Sequence, residues 1–277
     1  MSGRYAAFTF VDRITALVPG TSAKGTFHIP AGVEGFPSSL LAEATGQLAA
    51  WVAVSKLGFR LRPVAGIAHE TVYHGTPKPG DTLETEIRID SCEDDAVAYQ
   101  GSARIDGTTV FELHDCVGPM LPLEDFDDPV AMRAFFATLC NEGAQPDRFR
   151  GVPSMALKPL EQEAGRFATA QLDVPLEAPF FYDHFPRRPV FPGTLLLDRM
   201  TTLASGVVAE AVGGAHPVLR RVTDVKLRAF TDAGARLELR ATVDEVAQDS
   251  VFAILEARAE GQRRPVGGAR VQFEVQR

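Results

Sequence analysis

Residues 37–58, Pro37-Ser38-Ser39-Leu40-Leu41-Ala42-Glu43-Ala44-Thr45-Gly46-Gln47-Leu48-Ala49-Ala50-Trp51-Val52-Ala53-Val54-Ser55-Lys56-Leu57-Gly58, decide how the rest of the chain is read. The stretch opens on Pro-Ser-Ser capping chemistry, stops at Gly58, and is apolar on almost every side between them. A helix so uniformly hydrophobic belongs inside something, most simply wrapped by a sheet. Downstream, residues 70–75, 82–90, 96–106 and 108–121 alternate or cluster β-branched and aromatic side chains between Pro-Gly-Asp and Asp-Gly turns. They read as an antiparallel sheet of three or four strands.

The same order then recurs. Residues 192–214 form a second apolar helix with Pro-Gly at its start and Gly-Gly at its end, and 222–230, 236–246, 250–260 and 265–276 follow as strands. Pro37 and Pro192 are offset by 155, as are Glu43 and Asp198, while the turn glycines Gly80 and Gly234 are offset by 154. A repeat of this kind is a duplicated unit. Residues 123–151 between the copies mix acidic residues, a short helical run and a Pro-Asp turn, as a surface connector does. The expected organisation is a first module over 1–124, a linker over 125–150 and a second module over 151–277.

Composition narrows the function. The 277 residues carry 28 Lys plus Arg against 36 Asp plus Glu, a net charge of −8, with 45% hydrophobic residues. That excludes disorder and argues against a protein held to nucleic acid by its phosphates. The three cysteines, Cys92, Cys116 and Cys140, are widely spaced and suggest neither a disulfide framework nor a zinc site. Residues 1–20 lack a signal-peptide pattern, and no apolar run approaches a membrane span. A cytoplasmic protein with no membrane span is expected. His69, His74, His114 and His216 show no metal-ligand spacing, and the glycine pairs of the sequence are routine turn and strand glycines, so no metal and no nucleotide cofactor are implied.

The most specific pattern is Asp183-His184-Phe185-Pro186-Arg187-Arg188-Pro189-Val190-Phe191-Pro192-Gly193-Thr194-Leu195-Leu196-Leu197-Asp198. Three prolines stiffen the loop, and Pro192-Gly193 delivers the chain into the helix with its first N–H groups unpaired. An imidazole held beside a free helix N-terminus suits polarisation of a carbonyl at the Gly193 N–H. Asp198, an acid in an apolar run, should have its pKa raised by burial and be able to donate a proton.

His-Phe-Pro followed by Pro-Val, Pro-Gly and an acid fourteen residues after the His resembles the active-site motif of bacterial β-hydroxyacyl-(acyl carrier protein) dehydratases of fatty acid synthesis. The resemblance implies an α+β double hotdog, each half a long central helix wrapped by an antiparallel β-sheet, the two forming an intrachain pseudo-dimer. Family active sites pair the His of one hotdog with the acid on its partner's helix. In the first copy, His28-Ile29-Pro30-Ala31-Gly32-Val33-Glu34-Gly35-Phe36-Pro37 resembles the signature of dehydratase domains in polyketide and polyunsaturated fatty acid synthases. Glu43 with Gln47 resembles the helix of the Glu-type fatty acid enzymes, and Phe10 to Ile14 their opening strand.

Crossing the halves gives two candidate dyads, His184 with Glu43 and His28 with Asp198. The first is favoured, because its loop has the full spacing, Gly193 can present its N–H, and Gln47 follows Glu43. Thr202 stands where the second dyad would need the matching Gln. The implied reaction is dehydration of a (3R)-3-hydroxyacyl thioester to the trans-2-enoyl thioester, with no cofactor. Phe185, Phe191, Leu40 and Trp51 are expected along an acyl tunnel, and Arg187 and Arg188 at a phosphopantetheine phosphate. The implied partner is an acyl carrier protein or acyl-CoA, and the exposed sheet faces leave room for a homodimer of double hotdogs. Rival readings are a dehydratase that also isomerises, a hotdog thioesterase, and a silent hotdog subunit that binds acyl carriers.

Overall fold

A computed structural model describes residues 5–276. Its elements in chain order are β1 (Arg13–Val18), β2 (Ser22–His28), α1 (Ser39–Lys56), β3 (Leu61–Pro63), β4 (Ile67–Tyr73), β5 (Thr82–Cys92), β6 (Ala96–Ile105), β7 (Thr108–Pro122), α2 (Pro129–Asn141), β8 (Leu157–Glu163), β9 (Phe167–Asp173), α3 (Gly193–Ala211), β10 (His216–Leu227), β11 (Arg236–Val246), β12 (Ser250–Ala259) and β13 (Gly267–Gln276). The sheet runs β1-β2-β5-β6-β7-β4-β10-β13-β12-β11-β9-β8, with β3 paired to β7. Read from the β4–β10 junction outward, the two halves present the same strand order. The protein is a double hotdog: α1 lies against the strands of the first half and α3 against those of the second, and one continuous antiparallel sheet joins the halves through pairs such as Thr71 with Val222.

Alternation explains the wrapping. Along β5, Leu83, Thr85, Ile87 and Ile89 point inward and the intervening charged residues outward, and Leu237, Leu239 and Ala241 of β11 do the same. Ladder irregularities fall between Ile89 and Ser91 and between Val243 and Glu245, again offset by 154, so the duplication extends to backbone detail. Contact between helix and sheet is close enough to require a glycine at 101. A Cβ there would lie 2.6 Å from the Thr45 side chain and 2.8 Å from the Glu86 carbonyl oxygen.

The connector is more integrated than its composition suggests. Helix α2, capped by the Asp128 carboxylate on the N–H groups of Val130 and Ala131, packs Phe136 against Trp51 with ring centroids 5.9 Å apart. Phe149 sinks among Phe10, Phe27 and Phe36, with centroids 5.2, 6.4 and 5.9 Å away. Among the described residues, no helix is long and apolar enough to cross a membrane.

Candidate active site

One long cavity lies between the halves. It follows α1 from Ala42 to Val54, about 18 Å at the helical rise, and takes its other walls from β3, β4, the 183–194 loop and the end of β10. Glu43, Gln47, Trp51, His184, Phe185, Phe191 and Gly193 all line it. Leu40 does not: it is fully buried in the core. That placement follows from helical geometry, since a tunnel running along one side of α1 leaves the residues on its other sides packed against the sheet.

The His184 loop is built to fix the imidazole. A short turn over Pro179–Tyr182 lifts the chain off β9, and Asp183 anchors it by accepting the N–H groups of Tyr5, Ala7 and Phe8 at 2.7, 2.6 and 2.8 Å. Nδ1 of His184 lies 2.9 Å from the Val190 carbonyl oxygen. A carbonyl only accepts, so Nδ1 carries the proton and Nε2 keeps its lone pair. Phe8 meets the imidazole edge-on at 5.6 Å and Phe185 stacks on it at 4.1 Å. These apolar walls depress the His184 pKa by burial, against the opposing charge of Glu43 and the Val190 bond.

Glu43 reaches the same cavity from the other half. Gln47 Nε2 donates to its Oε1 at 2.9 Å, and the Thr194 hydroxyl donates to its Oε2 at 2.6 Å across the interface between α1 and α3. Gln47 is itself fixed, accepting from the Phe10 N–H at 2.9 Å and donating to the Phe8 carbonyl at 3.0 Å. Gly193 opens α3, where the helix start leaves its N–H without an intrahelical acceptor. A Cβ there would lie 2.3 Å from the Leu227 side-chain tip, so any larger residue would have to push that side chain aside.

The second candidate dyad is not assembled in the same way. His28 ends β2 opposite Thr82, and the residue that ends β9 opposite Arg236, at the same 154 offset, is Asp173. The Ile29 and Val174 N–H groups repeat the equivalence, bonding to the carbonyls of Asp81 and Ala235. His28 therefore corresponds to Asp173 and not to His184. β2 and α1 are joined by residues 29–38 only, whereas residues 174–192 join β9 to α3 and carry the His184 loop. His28 contacts Thr82 at 3.1 Å and Asp147 at 3.7 Å beside a small cleft that Phe149 also lines. Asp198 lines neither cavity. Instead of standing alone among apolar groups, its carboxylate pairs with the neighbouring Arg199 guanidinium.

Arg187 and Arg188 also differ from expectation. Neither lines the cavity. Arg187 donates to the Glu124 carbonyl at 2.7 Å, and Arg188 lies 4.7 Å over the Phe230 ring, so both tie the loop to its surroundings. Sequence reasoning missed Asp183, Thr194 and Arg62. Thr194 directly follows the Pro-Gly signal and was open to notice, whereas Arg62 lies in a short strand with no local signature.

Residues 160–263 match the ApeI-like dehydratase family. A 3-hydroxyacyl-(acyl-carrier-protein) dehydratase FabZ of Rickettsia bellii is 32% identical over 91 residues, 32% of this chain and 63% of that protein. The FabZ of Escherichia coli K12 is 44% identical over 59 residues, 21% of this chain and 38% of that protein. The chain thus spans less than two thirds of the length of either relative. Among solved structures, a tesB protein of Mycobacterium avium subs paratuberculosis superimposes with a TM-score of 0.58 at 12% identity, over 95% of this chain and 96% of its own. That likeness shows the double hotdog fold. The protein resembles the hotdog-type dehydratases.

Proposed function

We propose that this protein removes water from a (3R)-3-hydroxyacyl thioester, borne by an acyl carrier protein or coenzyme A, to give the trans-2-enoyl thioester. The reaction has one site per chain. The supporting observation is that Glu43, held by Gln47 and Thr194, shares a cavity with a His184 imidazole whose Nδ1 bonds the Val190 carbonyl. His184 Nε2 takes the C2 proton, which the thioester acidifies. The Gly193 N–H receives the enolate-like oxygen, and Glu43 gives a proton to the C3 hydroxyl, which leaves as water. After product release the imidazolium returns its proton to the Glu43 carboxylate, and the site is reset.

The test is hydration of trans-2-enoyl thioesters in the reverse direction, with short and long chains on both carriers. His184→Ala is expected to lose about two to four powers of ten in kcat while keeping its fold. Full turnover by that variant would overturn the assignment. Free thiol among the products would identify a thioesterase instead, and a cis-3 product an additional isomerase step.

A further inference from the structure

Arg62 lies on β3, outside the motif, yet it lines the same cavity as His184. Its guanidinium carbon is 3.8 Å from the centre of the Phe185 ring, and that ring stacks on the His184 imidazole with 4.1 Å between centroids and 23° between planes. Guanidinium, phenyl and imidazole therefore form a pile of three flat groups. Arg62 Nε is buried and makes no hydrogen bond among the described residues. A buried charge is costly unless it is paired and hydrogen-bonded. A planar guanidinium can lie flat on an aromatic face as a lysine ammonium cannot.

We propose that Arg62 is a positioning residue for His184: through Phe185 it fixes the plane of the imidazole, and it sets a permanent positive charge two ring spacings away. The role rests on His184 as the base of the proposed reaction. A base must be neutral at rest and charged only after it has taken the proton. Burial is the largest influence on the imidazole and opposes its protonation; Glu43 on α1 and the Val190 carbonyl favour it, and Arg62 adds to the opposition. Arg62 is in turn faced by Asp127 ahead of α2, by Tyr5 and by Glu43; burial lowers its pKa to about 10, so it remains charged at neutral pH. Glu43 and Arg62 act on His184 in opposite senses.

The test follows the His184 ring by NMR titration in the full chain, alongside the acid limb of kcat/KM for hydration. Arg62→Met removes the charge and keeps a long side chain. It is expected to raise the His184 pKa and move the acid limb upward by about half to one pH unit. Arg62→Lys keeps the charge without the plane: the limb should stay near its wild-type position while kcat falls at least about fivefold. Lowered thermal stability with an unmoved titration in Arg62→Met would reduce Arg62 to a structural clamp and overturn the proposal. If Arg62→Met does not fold, an unchanged kcat in Arg62→Lys overturns it instead. His184→Ala separates the two ideas, since its retained turnover removes the base itself, whereas its loss beside a silent Arg62→Met removes only the Arg62 role.

Discussion

Glu43 depends on a hydroxyl from the other half of the chain. Thr194 bonds its Oε2 at 2.6 Å, and leaving a buried polar atom without its partner costs about 1–3 kcal/mol. Thr194→Val is expected to reduce kcat about tenfold or more with little change in thermal midpoint, as steady-state kinetics and a melt would show. His184 gives a prediction with a definite sign. Its folded pKa lies below the ordinary value of about 6.5 because burial disfavours the imidazolium. The neutral imidazole then predominates at pH 7, and the acid limb of kcat/KM should fall below pH 6.5. The same depression means that the unfolded chain binds more protons below pH 6.5, so stability contributed by this group is lost as pH falls through that range. A limb above pH 6.5 in a pH–rate profile would contradict it.

The helices and the principal strands were legible in the sequence because they follow from periodicity and punctuation, which are local. Leu83, Thr85, Ile87 and Ile89 announce β5 by alternation alone. The strands β1, β8 and β9 near the two ends of the sheet and the depth of Phe149 were not, since they depend on what the chain meets elsewhere in the fold. His28 shows how local spacing misleads: measured back from Pro37 it imitates His184, but the β-ladder aligns it with Asp173. Glu43 and His184 were readable through motif spacing. Asp183 as an anchor was not, because its three N–H donors come from residues more than 170 positions away. At the same scale, α1 rests on β6 through Gly101. Gly101→Ala places a methyl group 2.6 Å from Thr45 and 2.8 Å from backbone, and should destabilise the fold by about 1–3 kcal/mol in urea titration.

Across the whole molecule the two copies share a sheet but differ in the loop that leads into the helix, residues 29–38 in the first and 174–192 in the second. Phe10, Phe27, Phe36 and Phe149, each no more than 5% exposed, pack on one another around the end of β2 and its connection to α1. His28→Ala should leave hydration essentially at the wild-type rate, where a second, equally active site would cost about half of the turnover. Active-site titration with a mechanism-based inhibitor should give one equivalent per chain.

The ladder between Thr71 and Val222 has a further consequence. Because both partners of the interface belong to one polypeptide, their encounter is intramolecular, and dilution cannot separate them. Specific activity should stay constant down to nanomolar enzyme. Covalent union also releases each half from having to mirror the other, so that the loops leading into the two helices are free to differ in length, residues 29–38 against 174–192.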